Sequence, residues 1–245
     1  MEKGKARIVY DNTAEASFLR RLNRFTAEVF LEGRVETVHV KNTGRLSELL
    51  LPEAKVTLQK TDNPARKTAY DLISVYKAGL EWVNIDSLAP NILMKGYLEN
   101  LNFYDMIRPE YTYGDSRIDF YMEHEGQKYL REVKGCTLLS EDPKIGLFPD
   151  APTMRGIKHL KELSKAAREG FRCSIDFVIQ MNGVHLVFPN ERTHPEFGNA
   201  LREAAKAGVS VNCLSCRVEA DRIWITGITE MDGNQICLQT AEKLP

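Results

Sequence analysis

The sequence predicts an α/β protein in two domains. Residues 1–87 form a small closed β-barrel of five strands, and residues 88–245 form a mixed-sheet α/β domain. Three observations predict this. Residues 23–86 hold short β-branched and aromatic runs separated by turn residues, the pattern of a small barrel. The pattern changes at Asp86-Ser87-Leu88-Ala89-Pro90, where a proline stands near the start of a helical period. Beyond it, strand-like runs alternate with two helical segments stopped by Gly170 and Gly208, as in an α/β sandwich.

Each element has its own signal. Phe25, Ala27, Val29 and Leu31 alternate, Glu32-Gly33-Arg34 turns the chain, and Val35, Thr37, Val38 and Val40 follow. Residues 53–60, 67–76 and 80–85 read as three more strands, which completes a barrel of the OB or SH3-like kind. Residues 43–50 interrupt them as a short helix or loop. Ile92, Leu93, Leu98 and Leu101 are spaced for a helix after Pro90. Residues 116–123 and 127–137 read as a hairpin turning at Glu125-Gly126-Gln127. After a proline-rich loop, Thr153 stands as N-cap of a helix with Ile157, Leu160, Leu163 and Ala167 on one stripe, and Gly170 ends it. Strands over 173–181 and 184–188 flank the Asn182-Gly183 turn, a second helix runs from Pro195, and strands over 209–218 and 222–228 close the domain.

Composition narrows the function classes. Lysine plus arginine number 33 against 34 acids, a formal charge of −1, so any nucleic-acid surface must be a local basic patch. The five cysteines, at 136, 173, 213, 216 and 237, are odd in number and scattered, which fits a reducing compartment and not a disulfide framework. Cys213-Leu214-Ser215-Cys216 is a lone pair in a strand-like run, too few ligands for a zinc site. No signal-peptide core and no apolar run of about 18 residues occurs, so a cytoplasmic protein with no membrane partner is expected.

The pattern that carries chemistry is Asp119 in Ser116-Arg117-Ile118-Asp119-Phe120, followed by Glu132-Val133-Lys134. Glu132 and Lys134 are two apart on a strand and share a face. The hairpin can carry Asp119 next to Glu132, with the pairing register left open by the sequence. Two carboxylates suit Mg2+ or Mn2+, which leaves room for waters and phosphate oxygens, and a lysine orients the attacking water or offsets transition-state charge. Glu110 is the candidate third carboxylate, with Glu99 its competitor. Arg155, His159 and Glu162 share one face of the helix after Thr153. That face lies away from the apolar stripe, so His159 is expected in water, while Arg155 and Lys158 near the helix N-terminus are candidates for phosphate contact. Asp150 is read as a turn residue and His124 as exposed, and His39, His185 and His194 form no metal or triad spacing. Neither a G-x-S-x-G motif nor a P-loop is present.

The strings Asn42-Thr43-Gly44-Arg45, Ser116-Arg117-Ile118-Asp119-Phe120, Glu132-Val133-Lys134, Phe148-Pro149-Asp150-Ala151-Pro152-Thr153 and Arg155-Gly156-Ile157-Lys158-His159-Leu160 occur in the order and spacing of the sugar fermentation stimulation protein family (SfsA). The chain resembles that family over nearly its whole length. The resemblance implies an N-terminal five-stranded OB-like β-barrel and a C-terminal mixed-sheet α/β domain similar to PD-(D/E)XK nucleases. It also implies DNA binding and a link to sugar, chiefly maltose, metabolism. By the nuclease likeness, Asp119 and Glu132 bind Mg2+ (or Mn2+), Glu110 is a looser third ligand, and Lys134 assists the water. Ile118 stands where a proline is usual, and Val40-Lys41 precede Asn42 where Cys-Pro is expected. The C-terminus carries no helix-turn-helix signal.

Two functions follow as expectations: a metal-dependent DNA nuclease, or a non-catalytic DNA-binding regulator or accessory factor. Both need DNA, single- or double-stranded. The residues expected on it are Arg24, Phe25, Arg45, Arg66 and Lys67 from the barrel, with Arg155 and Lys158 from the helix. A homodimer joining two binding faces is compatible with the charge balance.

Overall fold

The computed structural model of the chain describes residues 6–63 and 65–231. Cys237 and the charged C-terminal tail lie outside the described residues. The first domain contains β2 (Thr13–Arg21), β3 (Thr26–Leu31), β4 (Arg34–Val40), β5 (Lys55–Lys60), β6 (Tyr70–Lys77) and β7 (Glu81–Asn84), after a short β1 (Arg7–Val9). The sheet order is β4-β3-β2-β5-β6-β7, and a parallel contact of β4 with β6 (His39↔Asp71, Val40↔Leu72) closes it. The closed barrel is therefore β2 to β6, and β7 extends β6 as a hairpin.

Five strands close the barrel, but they are not the five read from the sequence. β2 replaces β7. Its buried positions include Ala16 and Phe18, so alanine carries part of the alternation and the hydrophobic signal is weak. Residues 43–50 form turns, not a helix, with Leu46, Leu49 and Leu50 buried as a plug. Arg21, at the end of β2, holds the start of that segment by donating to the carbonyls of Asn42 (2.7 Å), Gly44 (2.5 Å) and Arg45 (2.7 Å).

The second domain runs α1 (Ala89–Asn100), β8 (Met106–Tyr113), β9 (Ser116–His124), β10 (Gln127–Cys136), β11 (Leu138–Leu139), β12 (Ile145–Phe148), α2 (Met154–Arg168), β13 (Arg172–Ile179), β14 (Leu186–Pro189), α3 (Pro195–Lys206), β15 (Ser210–Glu219) and β16 (Arg222–Met231). Seven strands form one mixed sheet in the order β1-β16-β15-β13-β10-β9-β8, with β10–β13 and β13–β15 parallel. β11, β12 and β14 make a small second sheet. Residues 7–9 thus add an edge strand to the second domain's sheet.

Alternation along the central strands sends side chains to two cores. Ile175 and Phe177 of β13 join Leu160 and Leu163 of α2 and Phe197 and Leu201 of α3. Val133 of β10, Val178 of β13 and Leu214 of β15 join Leu93, Met94 and Leu98 of α1. α2 and α3 therefore cover one face and α1 the other.

The two domains are joined by buried hydrogen bonds. Gln180 Nε2 donates to Asn84 Oδ1 (2.9 Å) and to the Asp86 carbonyl (3.0 Å). Asn182 Nδ2 donates to the carbonyls of Leu80 and Val218. Buried amides satisfied across a junction fix its geometry, because breaking it strands several polar groups at once.

α2 begins where its sequence requires. Thr153 has extended backbone, and its Oγ1 accepts from Gly156 N at 3.0 Å. Thr153→Ala is expected to lower stability by about 1 kcal/mol, measured by chemical denaturation. Thr153→Ser should restore most of the loss.

Candidate metal centre

The hairpin β9–β10 positions the first two candidates. Its pairing runs from Gln127↔His124 to Arg131↔Phe120. The next step in that register sets Asp119 against Glu132. There the backbone ladder stops, and the side chain replaces it: Asp119 Oδ2 accepts from Val133 N at 2.8 Å. From the other face, Asn91 in the first turn of α1 donates to Asp119 Oδ1 at 2.9 Å.

Glu132 is 1% exposed. Its Oε1 accepts from Lys134 Nζ at 2.5 Å and from His159 Nδ1. Its Oε2 is buried with no hydrogen-bond partner among the described residues. Burial opposes the charge on Glu132, but the His159 hydrogen bond and the Lys134 ammonium outweigh it and hold the carboxyl below the usual range. For Asp119 the balance is reversed. Burial and the neighbouring Glu132 charge raise it, against the Val133 amide, Lys134 and Asn91. One acid is held as an anion beside another that resists ionising. Such opposed shifts in neighbouring carboxylates mark a candidate functional site.

The chain matches known proteins along most of its length. Residues 19–85 match the family description "SfsA N-terminal OB domain", and residues 85–222 match "Sugar fermentation stimulation protein RE domain". The chain belongs to the sugar fermentation stimulation protein family. The homolog from Ruminiclostridium cellulolyticum is 46% identical over 213 residues, covering 86% of this chain and 93% of that protein. The homolog from Desulfitobacterium hafniense is 47% identical over 216 residues, covering 87% and 93%. The structure titled "The structure of Pyrococcus Furiosus SfsA in complex with Ca2+" superposes with a TM-score of 0.81 at 29% identity, covering 93% of this chain and 98% of that one.

In this SfsA-family chain the remaining candidates fall in different places. Glu110 lies on β8 between the pairs Pro109↔Phe120 and Tyr111↔Ile118, opposite Asp119 of β9. It is exposed, has a left-handed backbone (φ 54°), and pairs with Arg117 at 3.2 Å. It neighbours Asp119 in register while its carboxylate is engaged by an arginine. His159 corrects its sequence reading. It is 3% exposed and bonded to Glu132, and Arg155 Nε donates to its Nε2 at 3.4 Å. With Nε2 accepting, Nδ1 carries the proton given to Glu132. Helical periodicity missed it because its burial comes from a polar partner on β10, not from an apolar stripe. Asn91 was also missed, since nothing local marks it.

The basic residues form two groups. Arg24 lies over the Phe25 ring at 5.9 Å, and both are exposed at the β2–β3 turn. Arg45 and Lys67 are exposed, whereas Arg66 is clamped to Asp71 at 2.5 Å. On α2, Arg155 is exposed and Lys158 donates to the Asp115 carbonyl at 2.6 Å. A second buried acid, Asp176, accepts from Arg131, Ser174 and Asn212. With both oxygens bonded and an arginine beside it, it is held by its own neighbours.

A stability change follows from Asp119. An acid whose folded pKa is raised destabilises the fold when ionised. The penalty is full above the folded pKa and gone below the unfolded value. Asp119→Asn is expected to stabilise the metal-free protein at neutral pH by about 1 kcal/mol, or about 2–4 °C in Tm. The gain should vanish on acidification. Thermal melts in chelator across pH test it, and a lower Tm at neutral pH would count against it.

Proposed function

We propose that the protein is a DNA-binding, divalent-metal-dependent phosphodiesterase. Glu132 Oε2 carries the reading: it is a buried carboxylate oxygen with no hydrogen-bond partner among the described residues, beside Asp119 and Lys134. The residues fit Mg2+ or Mn2+, because such ions take one or two protein carboxylates and complete their shell with water and phosphate oxygens. The described residues hold no group of three or more His, Cys, Asp or Glu placed for a metal, so a tighter all-protein cage is not the fit. The relative from Pyrococcus furiosus is described in complex with Ca2+, another hard oxygen-seeking cation, which supports a cation role for these acids.

Bound between Asp119 and Glu132, the ion would acidify a water and offset charge on the phosphate. The chain's own residues do the rest. Lys134 presents its ammonium on the same strand face as Glu132 and orients a water or steadies the pentacovalent phosphate. His159 fixes the Glu132 rotamer by occupying Oε1, which leaves Oε2 directed away from it. Arg155, in the first turn of α2, offers an exposed guanidinium for a phosphate. The barrel carries exposed Arg24 with Phe25, and Lys67, for backbone and base contacts.

The test is cleavage of single- and double-stranded DNA with Mg2+ or Mn2+, paired with calorimetric titration of Mn2+. Wild type should bind the ion and cut DNA, and Asp119→Ala should lose both. Folded protein that binds DNA but neither binds the ion nor cuts any DNA would favour the non-catalytic regulator of sugar metabolism.

A further inference from the structure

A cleft of about 310 Å³ opens between the barrel and the second domain. Asn42, Thr43 and Gly44 form one wall, and Gly135, Thr137 and Asp150 stand on the other. We propose that this cleft receives one unstacked nucleotide of single-stranded DNA and presents its phosphate to the metal centre. The proposal deepens the nuclease reading and rests on it for the identity of the ligand.

Size and chemistry point the same way. The volume is near the low end of small-molecule pockets, about 300–1,000 Å³. A single base with its sugar fits there, and a duplex does not. No lysine or arginine lines the cleft, while Asp150 does. An anionic wall repels a phosphate but accepts hydrogen bonds from a base edge. Thr43, Ser87 and Thr137 add hydroxyls that both donate and accept. Such a lining meets the Watson–Crick edge that only an unpaired base exposes.

The walls are held rigid. Arg21 ties the carbonyls of Asn42 and Gly44, and Asn42 Nδ2 donates to the Ile85 carbonyl at 3.1 Å. A Cβ at Gly44 would collide with Asp150, and one at Gly135 with Gln180 and Pro90. Bare backbone at both positions lets these side chains pack closely against the chain and brace the walls.

Position joins the cleft to the chemistry. Gly135 follows Lys134, and Pro90 precedes Asn91, which holds Asp119. On its other side the cleft adjoins a second hollow. Asn42 and Ser87 line the cleft, and their neighbours Lys41 and Leu88 line the hollow with Arg66 and Lys67. Lys41 is paired with Asp86 at 2.7 Å and Arg66 with Asp71. Lys67 has no ion pair among the described residues and is the free cation of that track. A strand crossing the barrel there leads its backbone over the 41–43 segment and its next base into the cleft.

The test measures binding in chelator, so that cleavage plays no part. A labelled single strand and the same sequence as duplex are titrated into wild type, Thr137→Trp and Thr43→Phe. These variants fill the cleft from opposite walls, so a folding defect in one leaves the other informative. Wild type should prefer the single strand at least tenfold. Each folded variant should lose about tenfold in single-strand affinity, the scale of one base contact, with duplex affinity and Mn2+ binding unchanged. A 2-aminopurine moved along the strand should change emission at one bound position, and the variants should abolish that change. Unchanged single-strand affinity in both variants, or equal affinity for strand and duplex, overturns the proposal. So does a cleft-dependent preference for RNA. Loss of cleavage in the wild type alone would sink the nuclease reading and leave the binding result standing, whereas cleavage indifferent to Thr137→Trp and Thr43→Phe would do the reverse.

Discussion

Lys134→Ala is expected to lower the single-turnover rate of DNA cleavage by about a hundred- to a thousandfold, the scale set by removing one charge-stabilising group. DNA affinity should stay within about twofold, because one partly buried ammonium is a small part of a phosphate-contacting surface. The side chain is 16% exposed and its Nζ sits 2.5 Å from Glu132 Oε1. Its loss removes a cation from beside the proposed metal site, so Mn2+ should bind as well as before or slightly better. That combination separates chemistry from assembly: a scaffold role would lower metal binding, and a DNA-gripping role would raise the Kd for DNA. Lys134→Arg divides the remaining possibilities. Arginine keeps the positive charge but does not release its proton in proteins. Recovery of most of the rate with Arg assigns Lys134 to charge stabilisation, and no recovery assigns it to proton transfer or to a geometry the planar guanidinium cannot reproduce. Cleavage by Lys134→Ala at the wild-type rate would remove the lysine from the mechanism.

The parts of this centre differed in how far they could be read from the chain alone. The β9–β10 hairpin was legible because Ile118, Phe120, Leu130 and Val133 mark its strands and Glu125-Gly126 marks its turn. α2 was legible from its cap and its apolar stripe. β8 was not. It is an edge strand with exposed Arg108, Pro109 and Glu110, and Glu110 turns its backbone into the left-handed region. Proline and a left-handed residue are tolerated only because the outer side of an edge strand needs no partner. β2 escaped because part of its buried alternation rests on Ala16. His159 escaped for a different reason. Its helical neighbours Arg155, Lys158 and Glu162 are polar, and the residue that buries it is 27 positions earlier on another element. Local periodicity reports apolar burial only, whereas a polar side chain is buried when a distant partner satisfies it. The interdomain cleft is of this second kind too, since residues near 43, 87, 137 and 150 meet only through the closed barrel and the Gln180 bonds.

His159→Leu is expected to weaken Mn2+ binding by about 10- to 100-fold, the usual cost of removing a group that orients a metal ligand. Leucine fills similar volume and keeps the site dry, so α2 should still pack on the sheet. What disappears is the Nδ1 donor to Glu132 Oε1. Glu132 then keeps only Lys134 as partner, its buried charge is less supported, and its carboxylate is less firmly oriented. The sign of the pH effect follows. In the wild type His159 and Lys134 hold Glu132 below the usual carboxylate range despite burial. A depressed acid contributes stability above its unfolded pKa and loses it as pH falls through the folded one. Without His159 the folded value rises. Protons should then displace Mn2+ at a higher pH than in the wild type, and the acid limb of thermal stability should move the same way. His159→Asn supplies the control, because its amide nitrogen lies close to where Nδ1 was. It should recover affinity to within a few-fold of wild type, and with it the original acid limb. A purely packing role for His159 gives the opposite order, with Leu closer to wild type than Asn in both Mn2+ affinity and Tm. Calorimetric titration with Mn2+ across pH, on the two variants and the wild type, distinguishes the two roles without any cleavage assay.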